Sequence, residues 1–282
     1  MTTSHRDDLL AAVERSPRAV SVHDRDAWVR VFTDDGRVED PVGSSPHVGH
    51  DAIYRFYDTF IGPRGITFHR DVDIVSGPTV LRDLELEVAM GDAVTMFIPA
   101  FLRYDLREVG GEWKVAHLRA YWELPAMMVQ FLRTGSRALG PGVQLAKGLL
   151  GNQGPRGAVG FMTGFRRVGA RHKRLVEGFL RAVARGDDSA ARERLSPAAA
   201  ITLGDNDALD LAGLGEHLHG ADWAKVIGAG STVAVSVASD HGRGIVFADV
   251  AWRGNEIDAV RYFPACSMRR DSAGQSSDSR PF

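Results

Sequence analysis

Between residues 66 and 122, apolar and polar side chains alternate with a period of two, and this constrains the fold more than any other feature. The clearest run is residues 83–90, Asp-Leu-Glu-Leu-Glu-Val-Ala-Met. Such alternation places every second side chain on one face of a strand, as in a sheet with one buried face. Turn residues at Asp92 and Gly110–Gly111 divide the run. The pattern therefore predicts four strands, at about 66–75, 79–90, 93–106 and 112–122.

Short helices are predicted before this sheet. Residues 7–15 have helical character, and Ser16 followed by Pro17 predicts a new helix start with Ser16 as the N-cap. A further helix is predicted from about 51 to 61, where apolar residues recur at helical spacing. Helices followed by a four-stranded meander are typical of an α+β fold, in which a curved antiparallel sheet wraps helices.

The middle of the chain differs in charge from the rest. The segment from Leu124 to Val176 contains nine Lys or Arg and no Asp or Glu, whereas the whole chain has a net charge of −2. The low overall charge argues against a nucleic-acid binder. Met- and Leu-rich helical faces in this basic segment predict a linker or a lid packed on the first domain. Peripheral contact of residues 124–176 with an anionic membrane is an alternative that we do not favour.

The second half of the chain resembles a degenerate repeat of the first. Asp24 corresponds to Asp187 and Phe32 to Leu195, and three strands are predicted at about 231–238, 242–252 and 256–263, one fewer than in the first half. The expected organisation is a first domain, a basic helical linker or lid, a truncated second domain and a disordered tail, at residues 1–123, 124–169, 170–265 and 266–282.

Four segments together resemble the ketosteroid isomerase or SnoaL-like family of the NTF2-like superfamily. They are residues 38–43 (Val-Glu-Asp-Pro-Val-Gly), 46–49 (Pro-His-Val-Gly), 53–57 (Ile-Tyr-Arg-Phe-Tyr) and 118–122 (Leu-Arg-Ala-Tyr-Trp). The resemblance covers about residues 5–123, and about residues 171–265 resemble a shortened second copy. It implies a cone-shaped α+β fold with a deep apolar pocket between the helices and the concave sheet.

The resemblance also implies site residues. Asp40 matches the family's general base, which moves a proton from a carbon beside a ketone to a position further along the enolate. Tyr57 matches a tyrosine that supports the oxyanion hole in part of the family, and we take it as a tentative donor. The expected pocket lining is apolar: Phe56, Met96, Ile98, Ala100, Leu102, Leu118 and Trp122.

The chain departs from the family at both principal oxyanion donors. The family's tyrosine falls at Ser16 and its protonated aspartate at Ala100. One such donor contributes ~2.7–4 kcal/mol to catalysis. Three functions therefore stay open: a steroid Δ-isomerase-like enzyme acting on an apolar steroid or polyketide-like ketone, a non-catalytic binder of a sterol, lipid or polyketide-like ligand, and an epoxide hydrolase or cyclase. The first is preferred. The third requires a second acid near Asp40, for which Asp71 and Asp73 are candidates.

The remaining expectations concern partners and location. No motif for a cofactor is found, and no pair of histidines has a spacing typical of a metal site. One cysteine, Cys266, excludes a disulfide within the chain. The expected partner is an apolar small molecule, not a nucleic acid, and a homodimer stays open. The amino-terminal residues lack the apolar run of a signal peptide, so a cytoplasmic location is expected.

Overall fold

The computed structural model describes residues 3–92, 94–153, 160, 168–251 and 255–265. The predicted disordered tail, Cys266 and part of the linker lie outside these residues. The first domain contains, in order, α1 (Thr3–Ser21), α2 (Arg25–Arg30), β1 (Phe32–Glu39), β2 (His47–Val48), α3 (His50–Phe56), a π-helical turn (Tyr57–Ile61), β3 (Gly65–Ser76), β4 (Thr79–Met90), β5 (Val94–Val109) and β6 (Glu112–Tyr121). The four predicted strands are confirmed to within three residues at each end.

The first sheet has six strands in the order β2-β1-β6-β5-β4-β3 and wraps the helices. β1 pairs in parallel with β6, and the remaining pairs are antiparallel. The register of β4 against β5 places Leu86 beside Ile98 and Val88 beside Met96. Because side chains alternate between faces, these four residues lie together on the inner face. The fold is therefore the α+β arrangement that the sequence predicts.

The amino-terminal helix differs from the prediction. α1 runs unbroken through Ser16 and Pro17, so Ser16 is an interior residue and not an N-cap. Pro17 lacks only the one N–H that would bond to the carbonyl four residues earlier. Burial of the apolar face of α1, including Leu9 and Val13, both 0% exposed, offsets that loss.

The second domain repeats the topology of the first. It contains α6 (Ala170–Ala184), α7 (Asp188–Arg192), β7 (Leu195–Leu203), β8 (Asp207–Ala208), α8 (Leu211–His217), β9 (Asp222–Ala229), β10 (Thr232–Ser239), β11 (Gly242–Val250) and β12 (Ile257–Pro264). Its strand order is β8-β7-β12-β11-β10-β9. The expectation of one fewer strand is wrong, because β9 was not predicted. The second sheet has the same number of strands as the first, and its last four strands, β9 to β12, are shorter than β3 to β6.

Equivalent residues begin equivalent elements in the two domains. Asp24 accepts a hydrogen bond from the backbone N–H of Ala27 and caps α2, and Asp187 accepts one from Ala190 and caps α7. Phe32 and Leu195 then open β1 and β7, each of which pairs in parallel with the last strand of its sheet. Asp24 and Asp187, and Phe32 and Leu195, therefore occupy equivalent places in the order of elements of the two domains.

The two domains pack through the outer faces of their sheets. Phe247 of β11 lies at the centre of this interface, with ring centroids 4.9 Å from Tyr121 and 6.4 Å from Phe101. The apolar cluster of the interface is completed by Ile74, Leu81, Ile227, Ala229, Ala234, Ile245 and Phe263. The first sheet is therefore covered on both faces by residues of the same chain.

Ion pairs cross the interface around this cluster. Lys225 of β9 donates to the carboxylate of Asp83 at 2.5 Å, and Asp83 is 1% exposed. Arg243 forms a two-point contact with Asp71, and Arg103 contacts Asp205 at 2.8 Å. Asp205, whose position in the second domain is near that of Asp40 in the first, is thus an ion-pair partner between domains.

The segment between the domains begins with two helices that cover the first domain. α4 (Leu124–Arg133) and α5 (Leu139–Gly148) are joined by a 3₁₀ turn (Gly135–Ala138), and a π-helical turn (Leu149–Gln153) follows. Several of its apolar side chains are exposed: Val129, Leu132, Leu139, Val143 and Leu150. The helices that the structure describes are all too short or too polar to cross a lipid bilayer.

Candidate functional site

Asp40 follows the last residue of β1, in a turn that other groups stabilise. Glu39 accepts a hydrogen bond from the backbone N–H of Gly43 at 2.9 Å, and Val42 donates its N–H to the carbonyl of Ala120 at 2.8 Å. The peptide bond between Asp40 and Pro41 is cis. Glu39, and not Asp40, accepts the hydrogen bond from the backbone of the turn. The Asp40 carboxylate faces a cavity.

The cavity lies between the concave sheet, the helices and the segment that follows β6. Its interior volume is about 110 Å³. Its lining is apolar apart from Asp40 and Arg64. The apolar side chains come from three parts of the fold: Phe56 of α3 with Phe60 and Ile61 of the π-helical turn; Ile66, Leu86, Val88, Met90, Met96 and Ile98 on the sheet, with Trp122 directly after β6; and Met127, Met128, Phe131 and Leu145 on α4 and α5.

Trp122 donates its indole N–H to the Oδ1 atom of Asp40 at 2.5 Å. Burial raises the pKa of the Asp40 carboxyl group to about 6, and the hydrogen bond from Trp122 opposes this rise. Part of the Asp40 side chain is accessible because it faces the cavity, but protein surrounds it closely enough to disfavour the charged form. A carboxylate with this pKa can accept a proton at neutral pH and release it again.

Arg64 is the cation of the cavity. The residue is 8% exposed, its Nη1 atom donates to the carbonyl oxygen of Thr59 at 2.7 Å, and its guanidinium carbon is 6.0 Å from the centroid of the Phe60 ring. Burial lowers the pKa of the Arg64 guanidinium to about 10. Even so, Arg64 is charged at neutral pH.

The predicted site residues divide into two groups. Asp40, Phe56, Met96, Ile98 and Trp122 line the cavity, and their roles in binding stay predictions. The other four do not line it: Tyr57, Ala100, Leu102 and Leu118.

These four residues are buried elsewhere in the first core. Ala100, Leu102 and Leu118 share the inner face of the sheet with Met96 and Ile98. They lie further along the strands, however, where helices cover that face and leave no cavity.

Tyr57 is 3% exposed and its ring packs against Trp28, with centroids 5.5 Å apart. Its hydroxyl group has no hydrogen-bond partner among the described residues. Burial raises its pKa, with smaller contributions from the charges of Asp24 and Asp58. The hydroxyl is therefore near the charged outer side of α2 and not in the cavity lining.

Ser16, where the family tyrosine would fall, is 3% exposed, and its hydroxyl accepts a hydrogen bond from Trp28 Nε1 at 3.0 Å. A hydrogen bond with Ser16 also opposes the burial that raises the pKa of Tyr104 to about 12. Ser16 thus belongs to a buried polar network outside the cavity. Neither Ser16 nor Ala100 supplies an oxyanion donor to it.

Sequence reasoning did not assign most of the cavity lining. The sheet residues Leu86, Val88 and Met90 could have been predicted from the sequence, because they occupy the alternate positions of a strand that face the core. They pair with Ile98, Met96 and Val94 of the next strand. Met127, Met128 and Phe131 were recognised as a helical face, but their partner surface was not known. Arg64 carried no local signal, since a single arginine in a loop is ordinary.

The second domain has no equivalent apolar cavity among the described residues. Its inner sheet face packs directly on α6 and α8, and this core includes Phe179, Leu214, Val235, Val246, Val260 and Tyr262. The site is therefore a property of the first domain and of the helices α4 and α5.

Comparison with known proteins identifies the first domain. Residues 13–115 match the family model described as "SnoaL-like domain", and they form a SnoaL-like domain in this chain.

Among solved structures, the chain is similar to the Δ5-3-ketosteroid isomerase from Mycobacterium sp., at 28% identity over 43% of this chain and 96% of that one, with a TM-score of 0.39. It is also similar to RV0760c from Mycobacterium tuberculosis, at 27% identity over 42% and 92% of the two chains and a TM-score of 0.39. A further similar structure is an LEH-like epoxide hydrolase from M. tuberculosis, at 19% identity over 48% and 97%, with a TM-score of 0.40.

Proposed function

We propose that the first domain is a proton-transfer isomerase that shifts a double bond in an apolar ketone, with Asp40 as the general base. One observation carries this proposal: the carboxylate of Asp40, with its pKa raised to about 6, faces a cavity whose lining is apolar apart from Asp40 and Arg64. Such a group is poised to take a proton from carbon at neutral pH. Steroid and polyketide-like ketones are the substrate classes that the family resemblance suggests.

The reaction needs only the residues of this chain. Asp40 removes a proton from the carbon beside the ketone, and the electron pair of the broken C–H bond moves towards the carbonyl oxygen to form an enolate. The protonated Asp40 then returns the proton to a carbon further along the conjugated system. The proton stays on Asp40 between the two steps, because the apolar lining excludes competing water.

The cavity constrains how fast this reaction can be. Neither Ser16, Ala100 nor Tyr57 lines it, and each missing oxyanion donor costs ~2.7–4 kcal/mol, or about 10²–10³ in rate. We therefore expect an isomerase that is slow compared with an enzyme holding both donors.

Two alternatives to the isomerase remain, and the lining of the cavity favours one of them and disfavours the other. The shortage of donors favours a non-catalytic binder of a sterol, lipid or polyketide-like ligand, for which the apolar lining suffices. Epoxide hydrolysis or cyclisation is disfavoured, because Asp40 is the single carboxylate among the described lining residues. Asp71 pairs with Arg243 across the domain interface, and Asp73 pairs with Arg82.

The test is turnover by the Asp40→Asn variant. With a neutral Δ5-3-ketosteroid, the purified protein should form the conjugated enone, followed by its absorbance. The variant should be slower by about 10²–10⁴. Asp258→Asn is the matched control, because Asp258 is exposed on β12, away from the cavity.

The outcomes of this test distinguish the isomerase from the non-catalytic binder. Turnover by Asp40→Asn at the parental rate would show that Asp40 is not the base. Tight binding of the steroid by both proteins, with no turnover by either, would favour the binder.

A further inference from the structure

Arg64 is a buried cation that has no anionic partner among the described residues. It forms one hydrogen bond, to the backbone carbonyl of Thr59, and no ion pair with any described residue. The lowering of its pKa arises from burial, with no contribution from a neighbouring charge. A buried guanidinium has five N–H donors, and leaving it without an anion is costly. Arg64 therefore lines the cavity with further N–H donors for which no described residue supplies an acceptor.

The helices next to Arg64 carry basic residues and no acidic ones. Arg64, Met90 and Leu145 also line an adjoining cavity, in which Lys147 of α5 is a further lining residue. The helices α4 and α5 belong to the segment that contains no Asp or Glu. Its exposed basic residues Arg133 and Arg137, like Lys147, are in no ion pair with a described residue. The helices α4 and α5 thus add positive charge and no negative charge near Arg64, and the β4–β5 turn carries the exposed Asp92.

The strand register separates Arg64 from Asp40. Gly65 pairs with Ala89, which places Arg64 level with Met90 at the β4–β5 turn. At the other end, Asp40 accepts a hydrogen bond from Trp122, the residue after Tyr121. Tyr121 pairs with Phe101 of β5. Phe101 and Val94, the partner of Met90, are seven positions apart on β5, which corresponds to about 23 Å along an extended strand. The cavity therefore has a carboxyl group at one end and a guanidinium at the other.

We propose that the ligand of this cavity is an elongated apolar carboxylic acid, whose carboxylate is bound by Arg64 while its opposite end lies at Asp40. A carboxylate matches the planar fork of a guanidinium and would accept the donors that the protein leaves free. The assignment of a reacting ketone to the Asp40 end rests on the proposed function. The binding of the acid by Arg64 does not.

The test compares a 3-oxo-steroid 17-carboxylic acid with its methyl ester, by calorimetric titration of the full chain at neutral pH. The acid should bind about 10- to 100-fold more tightly than the ester, as expected for charge-assisted hydrogen bonds. Arg64→Met should remove this preference, because it should weaken binding of the acid much more than binding of the ester. Arg64→Lys, which keeps the charge, should retain part of it. Arg18→Met, at an exposed site on α1, should change neither affinity.

Equal binding of acid and ester by the unaltered protein would overturn the proposal, and so would an equal loss of both affinities in a folded Arg64→Met variant. If Arg64→Met does not fold, the acid-to-ester ratio of the unaltered protein and of Arg64→Lys decides. The proposed function is judged separately, from turnover of the neutral ketosteroid. If the protein prefers the acid but does not turn over the ketosteroid, only the proposed binding of a carboxylate by Arg64 is supported. If it turns over the ketosteroid but does not prefer the acid, only the proposed isomerase function is supported.

Discussion

Trp122 and Asp40 are 82 positions apart, and the indole N–H of the first donates to the carboxylate of the second at 2.5 Å. Trp122 follows β6, the last strand of the first sheet, and Asp40 follows β1, its first strand. These two strands pair in parallel. The hydrogen bond stabilises the charged form of a carboxyl group whose burial favours the neutral form. Trp122 therefore tunes the group that we propose as the base.

Replacing Trp122 by Phe is expected to raise the pKa of Asp40 further, because burial would then act without the opposing hydrogen bond. The rising limb of the pH–rate profile for ketone isomerisation should move to higher pH. Trp223→Phe, on β9 of the second domain, is the control and should leave the profile in place. A profile that does not move, or that moves to lower pH, would contradict the role assigned to Trp122.

Asp40 should make the stability of the protein depend on pH. Folding raises its pKa from ~3.9 to about 6, so the folded state binds more protons between these values. Its stabilising contribution is therefore present below about pH 4 and lost as the pH rises through about 6.

Asp40→Asn cannot ionise, so its stability relative to the parent should increase with pH, by up to about 3 kcal/mol. Urea unfolding at several pH values between about 4 and 8 measures this difference. Asp258→Asn should show no such divergence. A constant difference between Asp40→Asn and the parent would mean that the carboxyl group titrates normally.

The ion pair between Lys225 and Asp83 should be costly to break. Asp83 is 1% exposed, so Lys225→Met leaves a buried carboxylate without its main partner, and we expect a loss of about 3–5 kcal/mol. Arg107→Met, which breaks an exposed pair with Asp35, should cost about 1 kcal/mol or less. The double variant Asp83→Leu/Lys225→Met should recover much of the loss. If Lys225→Met unfolds at the same urea concentration as Arg107→Met, the buried pair is not important for stability.

The two equivalent caps should contribute equally. Asp24→Ala and Asp187→Ala each remove the acceptor of one backbone N–H at a helix start, and each is expected to cost ~0.5–2 kcal/mol. Asp188→Ala, one residue further along, removes no cap and should cost less. Thermal unfolding of the three variants provides the comparison. A loss confined to one domain's cap would show that the structural equivalence is not an energetic one.

Local patterns were sufficient to predict most of the first domain. The four strands of residues 65–121 follow from alternation and turn residues, which act over neighbouring positions. The prediction at Ser16–Pro17 was wrong, because the cost of one missing backbone hydrogen bond is local, while the burial that offsets it depends on the distant sheet. β9 was missed for a related reason. Lys225 interrupts its apolar pattern, and only the partner Asp83, 142 positions away, makes that lysine compatible with an interface.

The sequence by itself determined the α+β class and the four strands of residues 65–121, because both depend on spacing within a few residues. The tertiary structure decided which residues line the cavity. It placed α4 and α5 over the concave sheet, moved Tyr57, Ala100, Leu102 and Leu118 out of the lining and brought Arg64 into it. It also determined the raised pKa of Asp40, since burial by distant segments sets the cost of its charge. Such properties depend on contacts between residues far apart in the chain, and no local pattern records them.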